Sequence, residues 1–368
     1  MSEIQSAITA AAELARNWPT WPVYGLTDDL LPTIERWAQA GHRVALATLT
    51  TVVGTSPRPL GSEMAICDTG EVMGYVSGGC VEGAVAAEAL AVMEEGTPRL
   101  LDYGAGSPVL DVQLTCGGRI GIFVRELADA ADYAARLRAA RTRREPIEVE
   151  VDLRTGAQRY RTPGSDGGSR SALTASGSVF IKTYLPTIRL VVIGSNPVAL
   201  ALCQIAPLFG YEVGLLRPFG PESPPPDADL VYYDRRPIEK AAPDMPIDAW
   251  TAVYALTHHP EEDLVVLVRA LRSSAFCVGV LGSRTKISER LLRLGTAGLD
   301  EAAIERLHAP AGLAIGACGP REIALSVLGQ VVSAQPRPAC RAPDNLIGPA
   351  AGMSCARTAV AENRAVAH

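Results

Sequence analysis

One cysteine in this chain lies in a setting that favours a reactive or ligand-binding thiol. Cys80 follows the run Ser77-Gly78-Gly79 and precedes Glu82, where an alanine-rich helical pattern begins. Glycines let a backbone approach a ligand closely, and the first N–H groups of a helix point at a ligand placed there. The helix dipole also favours a thiolate over a thiol. The spacing therefore predicts a catalytic or cofactor-binding loop at Cys80.

The same residues also have structural interpretations, which the sequence leaves open. Cysteine outside a disulfide is among the most buried residue types, so Cys80 could be a small core residue. Glu82 in the first helical turn could serve only to complement the helix dipole, and Glu82→Gln is then expected to be mild. A carboxylate there opposes the effect of the dipole on the thiol, so the charge of Cys80 stays open.

A second loop carries the glycine–cysteine pattern in reverse order. Cys116-Gly117-Gly118 leads into residues 119–124, where alternating apolar residues predict a strand. Upstream of the first loop, residues 63–67 and 71–76 flank the turn Asp68-Thr69-Gly70 and predict a β-hairpin. Two such loops at strand ends could face one pocket. The alternative is a pair of unrelated tight turns.

The remaining pattern of the first half predicts a mixed α/β domain. Hydrophobic periodicity and turn residues predict helices at 28–40 and 128–144. Runs rich in β-branched residues predict strands at 44–53, 100–103, 147–153 and 179–184. Pro186 marks the expected boundary of this domain.

The second half begins with the pattern of a dinucleotide-binding fold. An apolar run at 189–193 precedes the turn Gly194-Ser195-Asn196, a helical pattern through 209 and a strand at 211–216. Asn196 replaces the glycine that admits a pyrophosphate, although asparagine tolerates the left-handed backbone that such a turn uses. Arg217 stands at or beside the usual acidic position, which favours NADP over NAD. The alternative is a nucleotide site that has decayed.

Two later strand ends carry polar residues. The predicted strand at 252–256 ends in Thr257-His258, and the one at 276–281 ends in Gly282-Ser283-Arg284. Glycine and serine before a helix, with a basic first turn, indicate an anion site. The alternative for Arg284 is an exposed charge, and His258 alone is more often a structural or surface residue than a catalytic one.

Composition excludes several functional classes. The net charge of −6 argues against a nucleic-acid binder. No apolar run approaches the length of a membrane span, and the first residues lack the features of a secretory signal. Eight cysteines without CxxC spacing indicate neither a disulfide framework nor a metal site, so the reducing cytoplasm is expected. The residues from 335 onward are rich in proline, alanine and arginine and predict a disordered tail.

Several of these motifs together resemble the XdhC/CoxI family, the accessory proteins of xanthine dehydrogenase and related molybdenum hydroxylases. The resemblance rests on Gly54-Thr55-Ser56-Pro57-Arg58, Gly61, Met64, the run from Ser77 to Glu82, and Leu114-Thr115-Cys116-Gly117-Gly118. It extends over residues 50–125 and 186–333. It implies an α/β protein with an N-terminal mixed α/β cofactor-holding domain at 1–185, a C-terminal Rossmann-like parallel-sheet domain at 186–334, and a tail at 335–368.

The resemblance also implies a function and a set of roles. The protein would be a chaperone that binds molybdenum cofactor, assists its sulfuration and delivers it to a molybdenum hydroxylase. A cysteine desulfurase would be a second partner, and a homodimer is one expected assembly. Cys80 would be the key contact. The wall would comprise Ser77, Gly78, Gly79, Cys116, Gly117 and Gly118, and Arg58 would hold the cofactor phosphate.

Two other functions remain open at this stage. The main alternative is an NAD(P)-dependent oxidoreductase that uses Cys80 or Glu82 in proton or thiol chemistry. Its nucleotide would lie against Gly194, Asn196, Arg217, His258, Gly282, Ser283 and Arg284. The third is a scaffold without catalysis that only docks a hydroxylase.

Overall fold

Three β-sheets with helices packed on them make up the part of the protein that the structure describes. The computed structural model describes residues 18–19, 21–104, 117–163, 171–257 and 259–336, and the side chain of Arg284 lies outside this description. Cys116, His258 and the predicted tail from residue 337 onward also lie outside it.

The first sheet has a long, buried central strand. Its strands are β1 (Val44–Val53), β2 (Glu63–Cys67), β3 (Val72–Gly74), β4 (Arg99–Gly104) and β5 (Arg119–Glu126). They lie in the order β3-β2-β1-β5-β4, and each neighbouring pair is antiparallel. The first seven residues of β1 are buried, as expected for a strand rich in β-branched residues between two neighbours.

Helices cover both faces of this sheet. They are α1 (Leu31–Gln39), α2 (Glu82–Glu95) and α3 (Ala130–Arg143). Helix α2 buries Val85, Ala89 and Val92 against one face. Helices α1 and α3 pack over the other face in a separate core, and α3 begins at Asp129, whose carboxylate accepts the Asp132 N–H at 2.8 Å.

A second, smaller antiparallel sheet follows α3. It contains β6 (Ile147–Asp152), β7 (Gln158–Arg161), β8 (Ala172–Leu173) and β9 (Val179–Tyr184), in the order β7-β6-β9-β8. The sequence predicted β6 and β9 but not β7 or β8. Residues 158–161 are polar and only partly buried, so they lack the apolar alternation by which a strand is recognised.

The third sheet is parallel throughout. Its strands are β10 (Arg189–Ile193), β11 (Glu212–Leu216), β12 (Tyr232–Asp234), β13 (Thr251–Ala255), β14 (Cys277–Val280) and β15 (Leu307–His308). Their spatial order is β12-β11-β10-β13-β14-β15, which is the strand order of the Rossmann fold. The helices are α4 (Pro197–Ile205), α5 (Ile238–Ala241), α6 (Pro260–Leu271), α7 (Ile287–Thr296), α8 (Glu301–Glu305) and α9 (Pro320–Ala334).

The predicted fold class is confirmed. The first two sheets with their helices form the mixed α/β part, and the six-stranded sheet forms the Rossmann-like part, with α4 and α9 on one face and α6 on the other. In the described ranges, every helix is too short or too polar to cross a lipid bilayer.

One arginine joins the two parts. Arg144 follows α3 with a left-handed φ of 54°. Its guanidinium pairs with Asp248 and donates a hydrogen bond to Glu212 Oε2 at 3.0 Å. Because the Arg144 side chain is only 13% exposed, these contacts are less screened than surface ion pairs.

Candidate functional site

Three loops meet at one edge of the first sheet. Val53 at the end of β1 pairs with Arg119 at the start of β5, so residues 54–58 and Gly118 are neighbours. A Cβ atom on Gly118 would lie 2.1 Å from the Thr55 carbonyl oxygen. A Cβ atom on Gly78 would lie 3.1 Å from Pro57 Cγ, which brings the third loop against the same segment. The two glycine–cysteine patterns thus lie on either side of residues 54–58, although Cys116 itself is outside the described residues.

The loop before α2 is organised around the carboxylate of Glu82, which is only 2% exposed. Glu82 Oε1 accepts backbone N–H groups from Val76 (3.1 Å), Ser77 (2.8 Å) and Gly78 (3.2 Å). Oε2 accepts the Ser77 hydroxyl (2.7 Å) and the N–H groups of Gly79 (2.9 Å) and Val81 (3.2 Å). The loop therefore wraps around an anion that the chain itself supplies.

This arrangement corrects the expectation that the glycine N–H groups point at a ligand. The N–H groups of Gly78 and Gly79 point at Glu82 instead, because this side chain folds back from the first turn of α2. Gly78 and Gly79 have φ values of +102° and +106°, which side-chain-bearing residues rarely adopt. Glycine at these positions permits the backbone path that encloses the carboxylate.

Cys80 lies on the outer side of this loop. Its residue is exposed, and its N–H donates to Ser77 Oγ at 3.1 Å. At the adjacent Gly79, a Cβ atom would have nothing within 4 Å among the described residues. The interpretation of Cys80 as a buried core residue is therefore wrong. Cys80 is an exposed residue on a loop whose backbone is fixed by hydrogen bonds to Glu82 and Ser77.

Arg58 has partners within the protein. Its guanidinium pairs with Asp28 and lies over the ring of Tyr75, 4.4 Å from the ring centroid. The Arg58 side chain is 13% exposed. A phosphate at this position would therefore compete with Asp28 for the same cation.

Asn196 lies in the turn after β10, where its side chain makes two hydrogen bonds. Asn196 has an extended conformation (φ −85°, ψ 168°), so the turn does not use the left-handed backbone that asparagine tolerates. Its Oδ1 accepts the Ala199 N–H at 2.9 Å, and its Nδ2 donates to the Leu256 carbonyl at 2.6 Å. A Cβ atom on Gly194 would lie 2.7 Å from that same carbonyl. Asn196 thus caps α4 and ties β10 to β13 where a dinucleotide phosphate would bind.

The other predicted nucleotide residues lie at the same edge of the third sheet. Arg217 follows β11, and its N–H donates to the Asp234 carbonyl at 2.8 Å. Gly282 and Ser283 follow β14 and are exposed, and the backbone of Arg284 begins a short 3₁₀ turn. The structure brings these residues to one edge, as expected for the ends of parallel strands.

The buried carboxylate of Asp263 also lies at this edge of the third sheet, and it was not predicted from the sequence as a site residue. Asp263 is 2% exposed, accepts the Thr257 hydroxyl at 2.7 Å and pairs with Arg290 at 3.2 Å. Burial raises the pKa of Asp263, against the hydrogen bond from Thr257 and the charge of Arg290, which lower it. The sequence signal was weak because an acid in the first turn of a helix is common as a surface residue.

A large cavity among the described residues lies elsewhere. It has a volume of 710 Å³ and lies between α1, α3 and the turn after α4. Its lining includes Glu63, which accepts the Tyr184 hydroxyl at 2.7 Å, and the neighbouring Tyr133. The predicted site residues that the structure describes do not line it, so this cavity and the glycine–cysteine loops indicate different places. We place the candidate site at the loops, because the exposed cysteine and the glycine-only backbone are specific chemical features, whereas the cavity is a gap between the mixed α/β part and the Rossmann-like part.

The fold and this loop define an α/β protein with an exposed cysteine beside an antiparallel sheet in its N-terminal part and a Rossmann-type sheet in its C-terminal part. The model of the XdhC and CoxI family matches residues 37–104, and that of the XdhC Rossmann domain matches residues 190–331. The chain is 33% identical over 312 residues to the molybdenum cofactor insertion chaperone PaoD of Escherichia coli, covering 84% of this chain and 89% of the relative. The chain belongs to the XdhC/CoxI family.

More distant relatives agree with this assignment. The chain is 25% identical over 321 residues to a Bacillus subtilis protein described as a probable xanthine dehydrogenase subunit, covering 80% of this chain and 94% of the relative. A crystal structure described as a xanthine dehydrogenase from Bacillus halodurans superposes with a TM-score of 0.67 at 23% identity, over 82% of this chain and 94% of that one. At this identity the superposition shows the shared fold.

Proposed function

We propose that this protein is an accessory chaperone that binds molybdenum cofactor as cargo, assists its sulfuration and passes it to a molybdenum hydroxylase of the xanthine dehydrogenase type. The proposal is supported by family membership and by the description of the Escherichia coli relative as a molybdenum cofactor insertion chaperone. The partners would be the apo-hydroxylase and a cysteine desulfurase, in the cytoplasm.

The observation that carries the proposal is the exposed Cys80 thiol on a loop held by the buried Glu82 carboxylate. Thiolates are soft ligands, and soft sulfur suits a cargo whose metal already carries sulfur ligands. A Cβ atom on Gly79 would have no neighbour within 4 Å among the described residues, which supports the approach of a ligand to this part of the loop. Ser77, Gly78 and the Gly117–Gly118 segment would form the wall of this site.

In this proposal, Glu82 positions the loop rather than transferring a proton. Its carboxylate accepts hydrogen bonds from the loop that carries Cys80 and is enclosed by them. Arg58 would contact the cofactor phosphate, which would replace Asp28 as the partner of the guanidinium. A carrier needs this kind of fixed, ligand-accessible loop and no committed acid–base pair.

The oxidoreductase alternative receives less support. The strand order suits a dinucleotide, but Asn196 Oδ1 occupies the Ala199 N–H at the start of α4, where a pyrophosphate would bind. We expect weak or no binding of either nucleotide, with any affinity tilted toward NADP by Arg217. Calorimetry with NAD and NADP measures both affinities, and a clear preference for NAD would contradict the role given to Arg217.

Cofactor retention by cysteine variants tests the proposal. The protein is purified anaerobically from cells that make molybdenum cofactor, and molybdenum and released pterin are measured per chain. Cys80→Ala is expected to lower retention about tenfold or more without unfolding the protein, since its side chain is exposed. Cys318→Ala is the matched control, because Cys318 is also exposed but lies in the Rossmann part, before α9. Cys340→Ala and Cys355→Ala should also retain the cofactor. Unchanged retention in Cys80→Ala would overturn the assignment.

A further inference from the structure

A cluster of three different potential metal ligands lies far from the Cys80 loop. His42, Cys67 and Asp68 each offer one ligand atom, and these atoms all lie within 4.8 Å of one another. His42 Nδ1 is 2.9 Å from Asp68 Oδ1, and Cys67 Sγ is 3.4 Å from the same oxygen. Val44 pairs with Cys67 at the opposite end of β1 from Val53 and the glycine loops. The cluster is therefore separate from the candidate cofactor site.

The backbone holds these three residues in place. The His42 N–H donates to the Trp37 carbonyl at 3.0 Å, and the Cys67 N–H donates to the Glu71 carbonyl at 2.9 Å. The Asp68 N–H donates to the Arg43 carbonyl at 3.1 Å. Asp68 Oδ2 accepts the Arg43 N–H at 3.0 Å, which leaves Oδ1 directed at the histidine and the thiol. The positions are thus preorganised by the end of α1 and by the β2–β3 turn.

We propose that His42, Cys67 and Asp68 bind a divalent ion of the zinc class. Zinc takes sulfur, imidazole nitrogen and carboxylate oxygen at about 2.0 to 2.3 Å in a tetrahedral arrangement, so its ligand atoms lie roughly 3.3 to 3.7 Å apart. The two separations from Asp68 Oδ1, 2.9 Å to His42 Nδ1 and 3.4 Å to Cys67 Sγ, approach these values, and the third pair lies within 4.8 Å. Three protein ligands leave the fourth position to a water molecule. On binding, the Cys67 thiol and His42 Nδ1 give up their protons to solvent, the neutral imidazole carries its remaining proton on Nε2, and the His42–Asp68 hydrogen bond is replaced by two bonds to the ion.

The partial burial of the cluster leaves it open to solvent on one side. Cys67 is 1% exposed, whereas the side chains of His42 and Asp68 are 37% and 34% exposed, so an ion would enter from the solvent side. His42 and Asp68 lie 26 residues apart in the chain. An ion between them would join the α1–β1 connection to the β2–β3 turn and raise the melting temperature. The spacing of these residues resembles no zinc motif, which explains why the cysteine spacing predicted no metal site.

Cobalt(II) substitution tests the site in the full-length protein. One Co²⁺ per chain is expected to produce a thiolate-to-cobalt absorption band and tetrahedral d–d bands. Both should disappear in Cys67→Ser and in His42→Gln. Cys203→Ser is the matched control, because Cys203 is also buried but lies in the Rossmann part, and it should retain the spectrum. Zn²⁺ should raise the melting temperature of the wild type and of Cys203→Ser but not that of His42→Gln.

Each outcome of the cobalt experiment either supports or contradicts the proposed metal site. A cobalt spectrum that persists in Cys67→Ser, or its absence in the wild type, overturns the proposal. Should Cys67→Ser fail to fold, His42→Gln and Asp68→Asn carry the test, because both change partly exposed side chains. Loss of the bands in these two folded variants supports the site, and retention in either refutes it.

Discussion

The side chains of Glu82 and Ser77 are hydrogen-bonded to each other, and Ser77 also supports the backbone of Cys80. Glu82 Oε2 accepts the Ser77 hydroxyl at 2.7 Å, and Ser77 Oγ in turn accepts the Cys80 N–H at 3.1 Å. The position of the cysteine backbone thus depends on a carboxylate two residues further along the chain. A substitution at Glu82 should therefore change the position of the Cys80 thiol indirectly, through the loop backbone.

Glu82→Gln is expected to disturb the loop, in contrast to the mild effect predicted for an acid that only complements the helix dipole. In glutamine, an NH₂ group replaces one of the two carboxylate oxygens. This group would face N–H donors that now bond to Oε1 or Oε2, such as that of Gly79, and would leave them without an acceptor. Unpaired buried donors cost about 1 to 3 kcal/mol each. We expect a loss of roughly 2 to 4 kcal/mol in the free energy of unfolding, together with reduced cofactor retention, measured by denaturant titration and metal analysis.

Glu94→Gln provides the control for this change. Glu94 is exposed on the same helix, so its substitution should change stability by less than about 0.5 kcal/mol. Equal stability of Glu82→Gln and Glu94→Gln would contradict the role of the buried carboxylate.

The sequence predicted the location of the Cys80 loop but not the hydrogen bonds to Glu82 that hold it. The glycines and the helix start identified the Cys80 loop, because left-handed backbone and helix starts have strong residue preferences. The sequence did not show that Glu82 folds back, since an acid in the first turn can equally point to solvent. The inward direction depends on the Ser77 hydroxyl and on the N–H groups of the loop from Val76 to Val81, which surround the carboxylate only once the loop has folded.

A similar limit applies to the Rossmann part. The apolar run at 189–193 and the turn after it predicted β10 and α4 correctly. The partner of Asn196, however, is the Leu256 carbonyl, 60 residues away, and only the pairing of β10 with β13 reveals it. The cluster of His42, Cys67 and Asp68 was missed for the same reason, because contacts between distant segments leave no local pattern.

Two substitutions at Asn196 separate its two hydrogen bonds. Asn196→Ser keeps a good helix cap but loses the donor to Leu256, and should destabilise the protein by about 1 kcal/mol. Asn196→Asp keeps the cap but places a carboxylate oxygen where Nδ2 now lies, 2.6 Å from the carbonyl oxygen. We expect Asn196→Asp to cost about 1 kcal/mol more than Asn196→Ser. Thermal unfolding measures both, and equal melting temperatures would refute the bond to Leu256.

Arg144→Gln should weaken the connection between the two parts in a pH-dependent manner. Burial raises the pKa of Asp248, but hydrogen bonds from Arg144, Thr251 and Trp250 outweigh it and hold the pKa below its ordinary value. A lowered pKa in the folded state contributes stability above the unfolded value of about 3.9, and this contribution is lost as the pH falls through the folded value. We therefore expect Arg144→Gln to cost about 1 kcal/mol or more at pH 7 and progressively less below about pH 4.

Arg143→Gln is the matched control for Arg144→Gln. Arg143 pairs with Glu145 in an exposed position, so its loss should have little effect at any pH. Urea titrations between about pH 3 and pH 7 measure the difference. A cost of Arg144→Gln that stays constant over this range would contradict the contribution of Asp248.

Thiol labelling measures the exposure of Cys80 in the native protein. Among the five described cysteines, Cys80 and Cys318 are exposed, and the other three are Cys67, Cys203 and Cys277. Burial raises the pKa of Cys203 to about 12 and that of Cys277 to about 11, and alkylating reagents attack the thiolate. Mass spectrometry after iodoacetamide treatment at pH 8 should therefore show Cys80 and Cys318 labelled at least about 100-fold faster than the buried cysteines.

The same experiment links the exposure of Cys80 to the proposed cargo. Bound molybdenum cofactor should protect Cys80 and leave the labelling rate of Cys318 unchanged, because the two cysteines lie in different parts of the protein. Cys318 therefore serves as an internal reference in every sample. Protection of both thiols would indicate a general closure of the protein, and slow labelling of Cys80 in cofactor-free protein would contradict the exposed loop on which the proposed function depends.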